Sequence, residues 1–165
     1  MHPALQDCRS VACLARRTDL ASVLELNGRR AEAVEILREL ATEARDPDIY
    51  ARLGQLSIRA GDLDGAEAAQ RRAIELDPAS VDCHRALADV LDAKGRPDQA
   101  SEILKHLVQS CSDDAQLHAR LGQVLIRNGD LAGAEAALRS ALAIDPALPE
   151  ARRNLDSVLA QRQRC

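Results

Sequence analysis

The sequence contains no Phe and no Trp, and its only Tyr is Tyr50. Strand-rich cores rely on aromatic and β-branched side chains, so this scarcity argues against an all-β fold. The core must instead be built from Ala, Leu, Ile and Val, and Ala and Leu are among the strongest helix formers. A chain of 165 residues, 46% of them apolar, is long enough to bury a continuous core of this kind.

The sequence also lacks an excess of basic residues and a long run of apolar residues. The net charge is -4, and Arg residues are interspersed with acidic ones, so the chain has no basic surface for a phosphate backbone. Residues 1–17 include no apolar run long enough for a signal peptide or a membrane span. We therefore expect a cytoplasmic protein with no nucleic acid partner and no membrane contact.

Residues that would suggest chemistry are few. The five cysteines, an odd number without a compact spacing pattern, are expected to be free thiols in a reducing compartment. His84 and His118 are candidate metal ligands, but two His without a third ligand make a poor zinc site. Neither a phosphate-binding loop nor a G-x-S-x-G or H-E-x-x-H signature occurs. We expect no cofactor, no metal and no catalysis.

The chain is instead dominated by an internal repeat. Residues 51–79 recur as residues 119–147, an offset of 68, with 20 of 29 positions identical. Because 68 is twice 34, the period of helix-turn-helix arrays, a more divergent copy is expected between them. One glycine per copy marks the register, with successive steps of 33, 34 and 34: Gly28, Gly61, Gly95 and Gly129.

These copies resemble tetratricopeptide repeats, which carry Leu-Gly on the first helix, Ala on the second helix and Pro after it. The matching residues of one copy are Tyr50, Leu53, Gly54, Gly61, Ala66, Ala73 and Pro78, and those of its twin are Leu121, Gly122, Leu125, Gly129, Ala134, Leu138, Ala141 and Pro146. The resemblance implies an all-α fold, a right-handed superhelical solenoid of four helix-turn-helix repeats plus a C-terminal capping helix. The implied segments are a lead-in helix at 1–13, repeats 1 to 4 at 14–46, 47–80, 81–114 and 115–148, and the capping helix and tail at 149–165.

Local signals predict where the first helix of each repeat begins. Asp46, Ser80 and Asp114 are expected to cap the first helices of repeats 2 to 4, because their side chains can accept from backbone N–H groups. Pro47, directly after Asp46, suits the first helical position, where an N–H would have no partner in any case.

The second helices offer similar signals. Asp64 and Asp98 are their expected caps, and the equivalent position in repeat 4 is Ala132. On this boundary, Ala132→Asp should stabilise the protein by about 0.5–2 kcal/mol, the usual contribution of an N-cap side chain.

Two polar residues interrupt repeat 2. Ser57 and Gln70 stand where repeat 4 has Leu125 and Leu138. We expect Ser57 and Gln70 to share a hydrogen bond where the two helices meet, because a buried polar group needs a partner.

The resemblance also implies a concave groove, lined by the first helices, that receives an extended or helical peptide. The sequence Gln-x2-Ile-Arg occurs twice and flanks an acidic centre, Asp89 and Asp92. Arg59 and Arg127 can pair with these carboxylates or with a carboxylate of the ligand, while the alternative is that all of these are solvated surface charges. The expected groove residues are Gln55, Ile58, Arg59, Arg85, Asp89, Asp92, Gln123, Ile126 and Arg127.

The leading hypothesis is a non-catalytic adaptor or scaffold that binds a peptide segment of a partner protein. One alternative is a homo-oligomer, a scaffold that self-assembles through an apolar N-terminal end formed by Leu5, Cys8 and Val11. Another is the substrate-recognition arm of a larger enzyme complex. The carboxylate clamp and the Asn ladder known in the family have no counterpart at the matching positions, so neither partner class can be carried over.

Overall fold

The computed structural model describes residues 11–163, and within that range every regular element is an α-helix. The nine helices of this range are α1 (Val11–Leu26), α2 (Arg30–Ala44), α3 (Pro47–Ala60), α4 (Leu63–Leu76), α5 (Val81–Ala93), α6 (Pro97–Ser110), α7 (Ala115–Arg127), α8 (Leu131–Ile144) and α9 (Pro149–Arg162). The lead-in helix predicted for residues 1–13 lies outside the described residues except for 11–13, which begin α1.

The turns between paired helices depend on glycine. The Gly that follows the first helix has a positive φ in all four repeats, between 73° and 83°. Residues other than Gly adopt this left-handed backbone conformation only at a cost in free energy, so the helix ends where a Gly is present. At the end of α3, the N–H of Gly61 donates back to the carbonyl of Ile58 at 3.0 Å.

The predicted caps of the first helices are confirmed. Asp46 accepts from the N–H of Asp48 at 2.9 Å, Ser80 from that of Cys83 at 3.3 Å, and Asp114 from that of Leu117 at 3.0 Å. Pro47 at the first helical position of α3 loses no hydrogen bond, because an N–H there has no partner within the helix.

The predicted caps of the second helices are wrong by two residues. The carboxylate of Asp62 caps α4 and that of Asp130 caps α8, accepting from the N–H groups of Gly65 and Gly133 respectively at 2.8 Å. Each of these Asp residues comes directly after the Gly of the turn, where its side chain reaches the N–H three residues further on. The helices therefore begin earlier than predicted.

The residues expected to be caps lie within the helices instead. Asp64 and Asp98 are in the first turns of α4 and α6, and Ala132 is the second residue of α8. Helix α6 begins after Arg96, whose side chain forms no cap hydrogen bond. Carboxylates in a first turn still interact favourably with the helix dipole, so Asp64 and Asp98 suit these places without capping.

The helices form two compact units, one ending at Val90 and the other beginning at Leu91. In the N-terminal unit, α2 packs against α1 and α3, and α3 packs against α4. Its core is one buried apolar cluster that includes Leu24, Leu37 and Leu56. Burial of Leu side chains at about 25 cal/mol per Å² supplies most of the stabilisation of such a cluster.

In the C-terminal unit, α7 packs against α6 and α8, and α9 packs against α8 and, less extensively, against α7. The buried side chains of this unit include Leu104, Leu125 and Leu138. Helix α9 buries Ala151 and Val158 and leaves its other side polar and exposed.

The contact between α3 and α4 differs from the prediction. Gln70 and Ser57 are both fully buried, but they share no hydrogen bond. The Nε2 group of Gln70 donates instead to the carbonyl of Ala51 at 3.2 Å, because the missing side chain of Gly54 lets the amide pass close to the α3 backbone. Within residues 11–163, the Ser57 hydroxyl and the Gln70 Oε1 atom have no hydrogen-bond partner.

A small cavity of about 190 Å³ adjoins this contact. Its lining is mostly apolar and comes from α2, α3 and α4, and Ser57 is one of the lining residues. A Leu side chain in place of Ser57, as in repeat 4, would occupy part of this volume.

The cysteines also differ in part from the prediction. Cys83 is a buried free thiol and Cys111 a half-buried one, as expected. Cys13 is disulfide-bonded, so the expectation of a free thiol is wrong there. Cys8 and Cys165 lie outside the described residues. Among the helices of residues 11–163, none has the length and apolar character needed to cross a lipid bilayer.

Candidate peptide-binding site

Four of the predicted groove residues line one recess in the N-terminal unit. Helix α3 contributes Gln55 and Ile58, and α5 contributes Arg85 and Asp89. These side chains lie on neighbouring turns of their helices, at spacings of three and four residues, so each pair projects from one helical face. The recess is also lined by Asp82 and has a volume of about 350 Å³.

The recess is lined mainly by polar and charged groups, with a smaller apolar part. Ile58 is half-buried and Gln55 is exposed. On α5, the Nη2 group of Arg85 donates to Oδ1 of Asp82 at 2.7 Å, and both side chains remain open to solvent. The carboxylates of Asp82 and Asp89 and the guanidinium of Arg85 line the recess.

Arg59 does not line this recess. Its Nη1 group forms an ion pair with Glu25 of α1, one repeat earlier in the chain. Of the pairs expected between Arg59 or Arg127 and the carboxylates of Asp89 and Asp92, the pair of Arg127 with Asp92 is confirmed, whereas Arg59 pairs with Glu25 of the preceding first helix instead.

The remaining predicted residues belong to the C-terminal unit, where Asp92 is the buried centre of a polar cluster. Its side chain is 1% exposed, and its Oδ2 atom contacts Nη1 of Arg127 at 2.7 Å and Nη2 of Arg120 at 3.2 Å. Nη1 of Arg120 donates in turn to Gln123 at 3.0 Å, and Ile126 is half-buried.

This geometry separates Asp92 from the other groove candidates. A peptide could contact Arg127, which is exposed, but not the Asp92 carboxylate. Asp92 therefore acts as a counter-ion for two arginines, and its Oδ1 atom has no hydrogen-bond partner among the described residues.

The two ion pairs occupy equivalent places. Glu25 and Asp92 lie near the ends of the first helices of repeats 1 and 3, and Arg59 and Arg127 near those of repeats 2 and 4. Each arginine thus ties its own repeat to the preceding one. The sequence contains a signal for these ion pairs, because an acidic residue precedes each of the two arginines by about one repeat. From the sequence, however, only ion pairs with Asp89 or Asp92 were expected within the chain.

Comparison with known families decides the class of the protein. Three sequence profiles, each described as a tetratricopeptide repeat, match residues 18–81, 57–124 and 115–155. The chain belongs to the tetratricopeptide repeat family. This confirms the resemblance drawn from Leu53-Gly54, Leu121-Gly122 and the repeat spacing. The protein is therefore a repeat scaffold of the class that mediates protein–protein interactions.

Two curated relatives match parts of this chain. It is 35% identical over 83 residues to the type IV pilus assembly protein PilF of Pseudomonas aeruginosa, covering 50% of this chain and 32% of that one. It is 28% identical over 135 residues to the cellulose synthase operon protein C of Pseudomonas fluorescens, covering 74% of this chain and 10% of that one. The chain therefore spans at most about a third of the length of these relatives.

Solved structures confirm the fold class, an all-α helical-repeat solenoid. MamA residues 41-end of Desulfovibrio magneticus RS-1 superpose with a TM-score of 0.83 at 19% identity, over 91% of this chain and 85% of that chain. YrrB, described as a tetratricopeptide repeat protein with an unusual peptide-binding site, superposes with a TM-score of 0.74 at 18% identity, over 89% and 76% of the two chains. At such identities the likeness concerns the fold alone.

Proposed function

We propose that this protein is a non-catalytic scaffold that binds a peptide segment of a partner protein in the recess lined by α3 and α5. The observation that carries the proposal is the recess itself, which brings Gln55, Ile58, Arg85 and Asp89 together on two first helices of a tetratricopeptide repeat protein. The recess is concave, and polar groups from two helices converge in it around one apolar side chain, Ile58, which is a combination that can hold a specific ligand.

The charges of the recess suggest the kind of peptide. Asp82 and Asp89 bring two carboxylates into the lining, and we infer that a basic side chain of the peptide binds beside them. Ile58 offers an apolar contact beside these carboxylates. The preferred segment therefore carries Lys or Arg next to an aliphatic residue, and the Gln55 amide is placed to bond to its backbone.

A library of random peptides displayed on phage tests this proposal without knowledge of the natural partner. Selection on the purified protein should enrich a basic residue beside an aliphatic one. Asp82→Lys with Asp89→Lys should weaken binding of the enriched peptides at least about tenfold, because two attractive charges become repulsive.

The control changes the same charges elsewhere. Glu150→Lys with Asp156→Lys alters the exposed side of α9 and should leave binding unchanged. Circular dichroism would verify that both double variants remain helical. Peptides that bind equally well to all three proteins, or a selection that enriches acidic peptides, would refute the recess as the site.

The remaining features of this proposal follow from charge and composition. A net charge of -4 supports a protein partner and not nucleic acid. The cytoplasmic location remains a prediction, and the disulfide at Cys13 is an argument against it, since disulfides persist mainly in oxidising compartments. Cell fractionation with an antibody to the protein would establish the compartment.

A role as the recognition arm of a larger enzyme complex is the second candidate function, supported by the larger size of both curated relatives.

A further inference from the structure

The cavity beside Ser57 is lined by a polar side chain whose hydrogen bonding is incomplete. Ser57 is fully buried, and its hydroxyl has no hydrogen-bond partner among the residues that the structure describes. Helical hydroxyls commonly donate to the carbonyl three or four residues earlier, as those of Ser22, Ser101 and Ser140 do here. Because a buried hydroxyl without a partner is costly, Ser57 is placed to bond to a polar group that enters the cavity.

The cavity can be reached from solvent. Leu53, Ser57 and Ala69 form its buried part, whereas Arg38 of α2 and Ala68 of α4 are exposed. The entrance therefore lies between α2 and α4, and α3 supplies the interior. All three helices belong to the N-terminal unit.

The difference between repeats 2 and 4 is concentrated at two of the lining positions. Four lining residues of repeat 2 are identical in repeat 4: Leu53, Gly65, Ala68 and Ala69. The other two, Tyr50 and Ser57, are replaced in repeat 4 by His118 and Leu125. Repeat 2 thus differs from its twin by a shorter, polar side chain and by an aromatic ring at this one place.

The volume and the lining define the size of a ligand. An engineered apolar cavity of about 150 Å³ is large enough to bind benzene, so about 190 Å³ admits a six-membered ring with one substituent. Tyr50, the only Tyr of a chain without Phe or Trp, contributes a half-buried ring to the lining. Aromatic rings attract each other in offset or edge-to-face arrangements, which favours an aromatic ligand.

The charges at the entrance favour a neutral ligand. The guanidinium of Arg38 forms ion pairs with Glu35 and, at 3.6 Å, with Asp62. An anionic ligand would have to compete with these two carboxylates for Arg38. Inside, the lining is mostly apolar, so a charged group of either sign would lose its hydration without a counter-charge.

We propose that this cavity binds a small neutral molecule of the phenol class, a single aromatic ring with one hydroxyl group. The ring lies against Leu53, Ala69 and the Tyr50 ring, and its hydroxyl bonds to that of Ser57. The cavity shares no lining residue with the recess between α3 and α5, so this site is independent of the proposed peptide site.

Nuclear magnetic resonance titration of the whole, 15N-labelled chain tests the proposal with two probes of equal size, phenol and toluene. Phenol should saturate with a Kd of about 1 mM, an ordinary affinity for seven non-hydrogen atoms, and should shift the amide signals of Leu53, Ser57 and Ala69. Toluene, which lacks the hydroxyl, should bind about two- to tenfold more weakly. Ser57→Ala should reduce the affinity for phenol to that for toluene and should not weaken toluene binding.

Two further variants separate this site from the rest of the molecule. Ser57→Leu, which introduces the residue of repeat 4, should abolish binding of both probes while the helical circular dichroism is retained. If Ser57→Leu lost its helical signal, the comparison of phenol and toluene on Ser57→Ala would decide. Asp82→Lys with Asp89→Lys should leave phenol binding unchanged, and Ser57→Ala should leave binding of the peptides selected on the recess unchanged.

Three results would overturn the proposal. The first is a lack of saturation by phenol up to about 20 mM, which would mean that the cavity holds water only. The second is equal affinity for phenol and toluene in the unchanged chain, since Ser57 would then bond to neither. The third is phenol binding that survives in a folded Ser57→Leu variant, because the probe would then bind elsewhere.

Discussion

Repeats 2 and 4 have nearly the same sequence, yet their interiors are built differently. Both end the first helix at a Gly with positive φ, and both cap the second helix with an Asp, Asp62 or Asp130. At the contact between the helices, however, repeat 4 places Leu125 and Leu138, both buried, where repeat 2 has two buried polar side chains. With the same turn and cap, the two helices of repeat 4 thus meet through apolar side chains, whereas those of repeat 2 meet through polar side chains whose hydrogen bonds are incomplete.

The arginines on the first helices differ in the same way. In repeat 4, Arg120 and Arg127 both contact the buried Asp92. In repeat 2, Arg59 pairs with Glu25, which is 24% exposed, and its companion Arg52 donates to a serine hydroxyl of α1. Identical residues therefore differ in energetic importance, because the environment of the carboxylate decides the strength of an ion pair.

The largest effect is expected from removing the charges around Asp92. Arg120→Met with Arg127→Met should lower the free energy of unfolding by about 3–5 kcal/mol, because a buried carboxylate is left without a counter-charge. The matched change, Arg52→Met with Arg59→Met, should cost no more than about 1 kcal/mol, the usual value of an exposed pair. Urea denaturation monitored by circular dichroism measures both, and equal losses would show that Asp92 is not the decisive difference.

An intermediate effect is expected from giving repeat 2 the interior of repeat 4. Ser57→Leu with Gln70→Leu should raise the free energy of unfolding by about 1–3 kcal/mol, because two buried polar atoms without hydrogen-bond partners in the described chain disappear. The larger side chain at position 57 would also occupy part of the adjoining cavity.

The exchange in the opposite direction is the control. Leu125→Ser with Leu138→Gln should destabilise by about 2–5 kcal/mol, since buried apolar groups are lost. Thermal midpoints of the two double variants should therefore move in opposite directions. A fall in both would mean that the buried polar pair of repeat 2 contributes to stability.

The smallest effect concerns the helix caps that the two repeats share. Asp130→Ala should cost about 0.5–2 kcal/mol, and Asp62→Ala about the same, because each carboxylate binds a backbone N–H. Ala132→Asp should add only about 0.3–1 kcal/mol through the helix dipole, since the cap is already present. Differential scanning calorimetry would resolve these shifts. A gain from Ala132→Asp that exceeds the loss from Asp130→Ala would place the cap at position 132 after all.

The parts of the fold that were predicted correctly depend on local interactions. Gly61, Asp46-Pro47 and the repeat period act through the conformations of a few neighbouring residues, so they can be read without coordinates. The cap at Asp62 was missed because Asp64 offered an equally plausible signal two residues later, and the cap at Asp130 was missed because the same helix boundary was transferred to repeat 4, where it fell on Ala132.

The candidate site was predicted only in part. Gln55, Ile58, Arg85 and Asp89 were grouped correctly by their register on the first helices. The pairing of Arg59 with α1 and the burial of Asp92 were not foreseen, because both depend on a carboxylate or a guanidinium one repeat away.

Residue order alone was sufficient for the helices, their repeat and the family, because backbone propensity and turn chemistry act over a few positions. Packing between helices settled the rest: Gln70 bonds to a backbone carbonyl and not to Ser57, Ser57 lines a cavity, and Asp92 is enclosed by two arginines. These outcomes depend on which side chains, distant in the sequence, pack against each other. The contribution of a buried polar or apolar side chain to stability depends more on these neighbours than on the residue type.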